Sequence, residues 1–256
     1  MDKDLAGKVV VITGASSGFG KGAALEFARC GAMLALGARR DNLVEDIARE
    51  CEALGVRAVP VAIDVSIPND VEQLGRAALD EFGRLDVWVN NAGVGITRMP
   101  SQLTDEDIET MMRANVLSAL YGMQEVLPHF RSRGRGHIIN VSSMLGRIPL
   151  ATFRSAYCGA KHFLNALTAT FRDELAETDP GIRVSLVSPG VVRTEFGANA
   201  VHGGPDSRNL PASQSAQEVA AVIARMIESP RPDVYTRADG RERVLEYFAS
   251  HGSNPE

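Results

Sequence analysis

Tyr157 and Lys161 stand four residues apart, a spacing that sets two side chains on one face of a helix. A lysine charge beside a phenol lowers the phenol pKa towards neutrality, and a phenol so tuned can give a proton to a carbonyl oxygen. Far upstream lies Thr13-Gly14-Ala15-Ser16-Ser17-Gly18-Phe19-Gly20, which could hold a dinucleotide. Gly14 permits a tight turn, Gly18 lets the backbone approach a pyrophosphate, and Gly20 lets the following helix pack against a sheet. Free N–H groups at that helix start would face the phosphates, with the Ser16 and Ser17 hydroxyls nearby. Alone, the first motif is an ordinary helix surface and the second a turn without a ligand. In this order they point to nicotinamide-dependent carbonyl chemistry.

Such chemistry needs a frame. Short apolar runs alternate with helical patterns: Val9 to Ile12, Met33 to Leu36, Val59 to Ile63, Val87 to Val89, Ile138 to Val141, Val184 to Val187 and, more weakly, Val234-Tyr235. Runs with so little alternation suit strands covered on both faces. Pro60 makes the third the least regular. Between them, Val71/Leu74/Ala78/Phe82, Leu164/Leu167/Phe171/Leu175 and Leu43/Ile47/Cys51/Leu54 form stripes at helical spacing. Gly55 marks a helix end, Ser66 and Pro68 flank a helix start, and Thr104 with Asp105, Glu106 and Asp107 opens another as N-cap and acidic first turn. The expectation is an α/β fold: one doubly wound, Rossmann-like domain over 1–256, with a parallel, seven-stranded sheet and helices on both faces. The stretch from Gly197 to Ser215, rich in Gly, Ser, Asn and Pro, reads as a long loop, and residues 190–215 as a substrate lid.

Composition narrows the function. The 256 residues carry a formal net charge of −5, which argues against nucleic acid as a partner. No apolar stretch approaches the roughly 20 residues needed to span a bilayer, so no membrane partner is expected. Three cysteines without a CxxC pair and five scattered histidines argue against a disulfide framework and a metal site, and fit a reducing, cytoplasmic location.

The glycine spacing, with Tyr157-x-x-x-Lys161 downstream, resembles the short-chain dehydrogenase/reductase family over nearly the whole chain. Asn90-Asn91-Ala92-Gly93, Asn115, Asn140-Val141-Ser142-Ser143 and Pro189-Gly190-Val191-Val192-Arg193-Thr194 follow in the family's order. The resemblance implies a catalytic set. Tyr157 exchanges the proton, and Lys161 lowers its pKa and bonds the nicotinamide ribose. Ser143 orients the substrate oxygen, and Asn115 helps hold a water that relays protons. Ser143 lies fourteen residues before Tyr157, one more than is common in the family, so its choice over Ser142 rests on the Leu145-Gly146 that follows. The implied cofactor-binding residues are Gly14, Ser16, Ser17, Gly18, Phe19, Gly20, Arg39, Asp64, Val65, Asn91, Ala92, Gly93, Tyr157, Lys161, Pro189, Gly190, Val192 and Thr194. At the end of the second strand Ala38 stands where an acid would bind the ribose 2′-OH of NAD, and Arg39 follows. An arginine fork suits a 2′-phosphate, so NADP(H) is favoured over NAD(H). The alternative is that Arg39 and Arg40 form a solvated basic turn beside Asp41.

Walls drawn from Val94–Met99, Met144–Phe153 and the loop after Gly190 are mostly apolar, which favours an apolar carbonyl or alcohol substrate. Arg98, Arg147, Arg154 and Arg193 could instead meet an anion or lie in solvent. The resemblance implies a homodimer or homotetramer paired through the tyrosine helix, with Phe163, Leu164, Leu167 and Phe171 shared between core and interface. The expected function is a carbonyl reductase. The rivals are an alcohol dehydrogenase working oxidatively, an epimerase or dehydratase, and a non-catalytic dinucleotide-binding regulator.

Overall fold

The structure is a computed structural model and describes residues 4–251. Strand β1 (Val9–Thr13) is buried along its whole length, as a strand covered on both faces must be. Its side chains alternate. Val10 and Ile12 enter a core with Phe27, Val44 and Ile223, whereas Val11 enters another with Leu74, Met123 and Phe130. The first core is closed by α1 (Gly18–Arg29), α2 (Asp41–Glu52) and α7 (Ala216–Glu228). The second is closed by α3 (Pro68–Phe82), α5 (Ser118–Arg133) and α6 (Ser155–Thr178).

The other strands are β2 (Met33–Ala38), β3 (Ala58–Ala62), β4 (Val87–Asn90), β5 (Gly136–Val141), β6 (Ile182–Ser188) and β7 (Asp233–Tyr235). They form one sheet of seven strands in the order β3-β2-β1-β4-β5-β6-β7, with every pair parallel. The strand order reverses direction between β1 and β4, the crevice where such sheets bind ligands. Pro60 lies in β3, an edge strand, where a missing N–H costs no ladder bond to a further neighbour.

The helical stripes hold in α3 and correct in α2. Leu43 and Leu54 are exposed, and the buried face of α2 is Val44, Ile47, Ala48 and Cys51. The buried set matches the i, i+3, i+4, i+7 template in full, whereas the expected set, at i, i+4, i+8 and i+11, drifts off that face at both ends. Helix α4 (Asp105–Met112) starts with the expected Thr104 cap, which forms a reciprocal capping box with Asp107. A π turn, Arg113–Leu117, carries α4 into α5.

A chain of buried amides fixes α6 against the sheet. Trp88 Nε1 donates to Asn90 Oδ1 (2.7 Å), Asn90 Nδ2 to Asn140 Oδ1 (2.8 Å), and Asn140 Nδ2 to Thr168 Oγ1 (2.9 Å). A buried polar network in which each member finds a partner specifies one arrangement of its elements. Here those elements are β4, β5 and the helix that carries Tyr157. Beyond β6 the chain returns to the sheet's carboxyl edge. Val192 bridges Gln214, and Val201 bridges Ile96 through Thr97 N–H to Val201 O and Val201 N–H to Gly95 O, both 2.9 Å. The last helix, α8 (Gly240–His251), exposes Leu245 and Phe248. No helix among the described residues is long and apolar enough to cross a membrane.

Candidate active site

The turn after β1 is open to an anion. Gly14 has φ +70°, and a Cβ there would lie 2.9 Å from the Ala92 Cα. A Cβ on Gly20 would collide with the Gly14 carbonyl oxygen, so only glycine lets α1 begin this close to the strand. Ser17 is the N-cap of α1, yet its side chain makes no capping bond, and the first turn holds no acid. The orphan N–H groups of a twelve-residue helix therefore face outward uncapped. Asn91 braces the crevice: its Nδ2 donates to Thr13 O (2.9 Å) and Gly14 O (3.3 Å). The Asn91 and Ala92 N–H groups both donate to Thr13 Oγ1 at 3.1 Å. Thr194, from the segment after β6, packs over Gly18. These features fit a pyrophosphate.

Next to the turn, the residue that reaches across is Arg40. Its Nη2 donates to Ser17 Oγ (2.7 Å) and Ser16 Oγ (3.1 Å). Arg39, singled out from the sequence, is exposed, and its charge is felt by the Asp64 carboxyl without an ion pair between them. Burial raises the Asp64 pKa, but hydrogen bonds from Ser66 and the Arg39 charge outweigh it and the net shift is downward. The signal for Arg40 was present as the second member of an Arg-Arg pair, but the contact spans 24 residues.

At the other end of the crevice Tyr157 is buried in a small cluster with Ile96, Met111, Val116, Ala156 and Ala160. Its ring meets Phe196 at 5.6 Å between centroids. The Ser143 hydroxyl faces the phenol and favours its ionised form, while Ser142 Oγ is turned away and held by Asn165 Oδ1 at 2.5 Å. Lys161 is buried and donates to Val141 O at 3.0 Å, with its Nζ 5.8 Å from the Tyr157 ring centre. Burial pulls the Lys161 pKa down to about 8.

The phenol does not behave as the Tyr-Lys spacing alone suggests. Burial pushes Tyr157 up to about 12, with Ser143 and Arg154 acting in the opposite sense. Desolvation outweighs the neighbouring charges, and Lys161 spends its proton on Val141. Asn115 is buried in the π turn, with Nδ2 donating to Val94 O (3.0 Å) and Met111 O (3.1 Å), and Oδ1 accepting from Val94 N–H (3.3 Å). Its side chain is thus a brace for the β4–α4 loop, and a water held here would use the main chain of the widened turn. Among the described residues no cluster of His, Cys, Asp or Glu could hold a metal.

Of the expected walls, Ile96, Met144 and Ile148 are buried, while Met99, Leu150 and Val191 are exposed. Arg147 pairs with Asp233 and donates to Ser188 Oγ (3.1 Å), and Arg193 reaches Ser213. Asp107 holds Arg98 Nη1 at 2.7 Å and His202 Nε2 at 2.8 Å. Those bonds, led by that from His202 and joined by the Thr104 cap, keep its carboxyl well below the usual carboxylate range. Asp107 and His202 were not singled out from the sequence as partners, and 95 residues separate them.

Residues 8–203 match the model of the short chain dehydrogenase family. An NADP-dependent 3-hydroxy acid dehydrogenase of Schizosaccharomyces pombe is 40% identical over 206 residues, covering 78% of this chain and 77% of that protein. Among solved structures, a short chain dehydrogenase/reductase from Burkholderia phymatum in complex with NAD superposes with a TM-score of 0.87 at 26% identity, covering 99% and 98% of the two chains. An alcohol dehydrogenase from Thermococcus sibiricus, complexed with 5-hydroxy-NADP, gives 0.78 at 30% identity, covering 89% and 95%. With the seven-stranded parallel sheet and its glycine turn at the switch point, these matches establish that the chain belongs to the short-chain dehydrogenase family of oxidoreductases.

Proposed function

We propose that this protein is a reductase that converts a carbonyl compound to a secondary alcohol with NADPH. The observation that carries the reading is the buried Tyr157 phenol, faced by Ser143 and one helical turn from Lys161, at the same carboxyl edge of the sheet as the uncapped start of α1. A bound nicotinamide dinucleotide supplies the hydride. Gly14, Ser16, Ser17, Gly18, Phe19 and Gly20 hold its pyrophosphate, and Asp64 and Val65 its adenine. Asn91, Ala92, Gly93, Pro189, Gly190, Val192 and Thr194 line the nicotinamide half, where Lys161 bonds the ribose. Ser143 donates to the substrate oxygen, Tyr157 gives that oxygen its proton, and Asn115 keeps the loop at Val94 in place.

A phenol raised to about 12 is neutral throughout the physiological range, which is the state a proton donor needs. NADP(H) is favoured over NAD(H) because Arg40 bonds both serines of the glycine turn, and because a relative at 40% identity is named NADP-dependent. Residues 190–215 serve as the lid, latched through Asp107 and His202. A homo-oligomer would pair through α6, where Phe163 is 52% exposed.

The test follows NADPH and NADH absorbance in parallel over ketones, aldehydes and diketones, with equilibrium binding of both cofactors. NADPH oxidation that depends on the carbonyl, and tighter NADPH binding, are the expected results. Tight cofactor binding with no turnover of any carbonyl would favour a dinucleotide-binding regulator instead.

A further inference from the structure

Four arginines were expected on the substrate side of the crevice, and three are accounted for: Arg98 by Asp107, Arg147 by Asp233, and Arg193 by solvent and Ser213. Arg154 is the exception. It is only 7% exposed, and among the described residues no carboxylate pairs with it. Its one hydrogen bond runs from Nη1 to Ile96 O at 3.1 Å, and its Cζ stands 5.6 Å from the Phe153 ring centre. A guanidinium carries five N–H donors, and a buried charge without a counter-ion is costly unless something else completes it.

The position is built rather than incidental. Arg154 is the N-cap of α6, three residues before Tyr157, so the two stand in the same first turn. The Arg154 charge is one of the influences felt by the Tyr157 phenol. Two glycines make room for the guanidinium. A Cβ on Gly95 would lie 2.6 Å from Nη1, and a Cβ on Gly204 would lie 3.0 Å from Nη2. That second point is also 2.5 Å from Thr97 Oγ1, a buried hydroxyl with no hydrogen-bond partner. A guanidinium without a counter-ion and a hydroxyl without a hydrogen-bond partner thus meet under one glycine of the 190–215 segment.

We infer that Arg154, with Thr97, binds a carboxylate of the substrate, so that the carbonyl compound reduced here is an oxo acid. The inference rests on the reductase reading for the carbonyl, but not for the carboxylate. One guanidinium matches one planar carboxylate in charge and in fork geometry. The carboxylate is unchanged in the reaction. The oxo carbon gains the hydride, its oxygen gains the Tyr157 proton, and NADPH is oxidised to NADP⁺.

The test uses 3-oxobutanoate and 4-oxopentanoate against their neutral methyl esters, in two readouts. One is kcat/KM with NADPH, and the other is calorimetric binding to the protein saturated with NADP⁺. The expected result is that the acids exceed the esters by about 10- to 100-fold in both. Arg154→Gln should erase that ratio by weakening the acids alone, and Thr97→Val should reduce it. A merely structural arginine would weaken acid and ester alike. Should Arg154→Gln fail to fold, Arg154→Lys, which keeps the charge and loses the fork, should lower the same ratio. Equal binding of acid and ester by the unaltered protein, or a preference that survives in Arg154→Gln, would overturn the inference. Arg154-dependent acid binding without reduction upholds it and sinks the reductase reading. Reduction of neutral ketones with no acid preference does the reverse.

Discussion

The two ends of the crevice use their polar groups in opposite ways. Between β1, β2 and β4, the side chains are spent on the main chain: Asn91 on Thr13 and Gly14, Thr13 on Asn91 and Ala92, Arg40 on Ser16 and Ser17. What stays open there is backbone, the uncapped start of α1. On the substrate side the backbone is closed, because the segment after β6 pairs with Gly95 and Thr97. What stays open is side chain: the Tyr157 phenol, the Arg154 guanidinium, the Thr97 hydroxyl. A backbone cradle binds what every dinucleotide shares, whereas unspent side chains select among substrates. The cost of the second strategy appears in the desolvated Tyr157 and Lys161, both displaced from their ordinary pKa values in the direction burial dictates.

Changes on the substrate side should therefore strike turnover, and changes on the nucleotide side should strike cofactor choice. The largest effect is expected for Tyr157→Phe. It should lower kcat by about 10²- to 10⁴-fold and leave NADPH binding, measured by fluorescence titration, unchanged. Lys161→Met should lower kcat by about 10²-fold at the least and also raise Tm. A buried lysine with its pKa pulled down to about 8 opposes folding while it is charged, and that cost is relieved only as pH climbs from about 8 towards its ordinary value. Replacing it should gain ~1 kcal/mol at pH 7, or ~2–4 °C for a chain of this size, read by scanning calorimetry. Intact Tm with full turnover would break the comparison.

Arg40→Ala should weaken NADPH binding by about 10- to 100-fold, with NADH affected little. Arg39→Ala should do less, since Arg39 lies towards Asp64. Equal losses for the two cofactors would remove the specificity argument. The smallest effect belongs to the latch. Asp107→Asn should raise KM several-fold with kcat nearly unchanged, as the segment holding Val201 and His202 loosens. The folded Asp107 carboxyl sits below its unfolded value, so its stabilisation is present above about pH 4 and fades as pH falls below that. In thermal melts, acid should destabilise the parent protein more than the asparagine variant.

The nucleotide end was the more legible from sequence, because it depends on local spacing. The glycine turn and the strand before it follow from neighbours within a few residues, as does the Thr104 cap on the other side. Pro60 marked the third strand as the least regular, and the sheet places that strand at its edge. What was hidden, at both ends, is made by distant partners. The choice of Arg40 over Arg39 depends on how β2 lies beside the glycine turn, and the choice of Val44 over Leu43 depends on which side of α2 meets the sheet. The Asp107–His202 contact, the loop closure at Val201 and the solitude of Arg154 are set by tertiary packing alone. The tyrosine–lysine spacing singled out Tyr157 but implied a lowered pKa where burial raises it, since spacing reports charge and is blind to burial.

The central claim is that a hydride moves to a carbonyl carbon while Tyr157 supplies the proton. The most direct measurement is to run a turned-over carbonyl substrate with NADPH deuterated at the transferable position of C4 and locate the label by NMR. The account predicts one deuterium at the carbinol carbon for each NADPH consumed, and none formed by the Tyr157→Phe variant on the same timescale. Product formed without net NADPH oxidation and without carbon-bound deuterium would contradict it, and would place the protein with the epimerases or dehydratases instead.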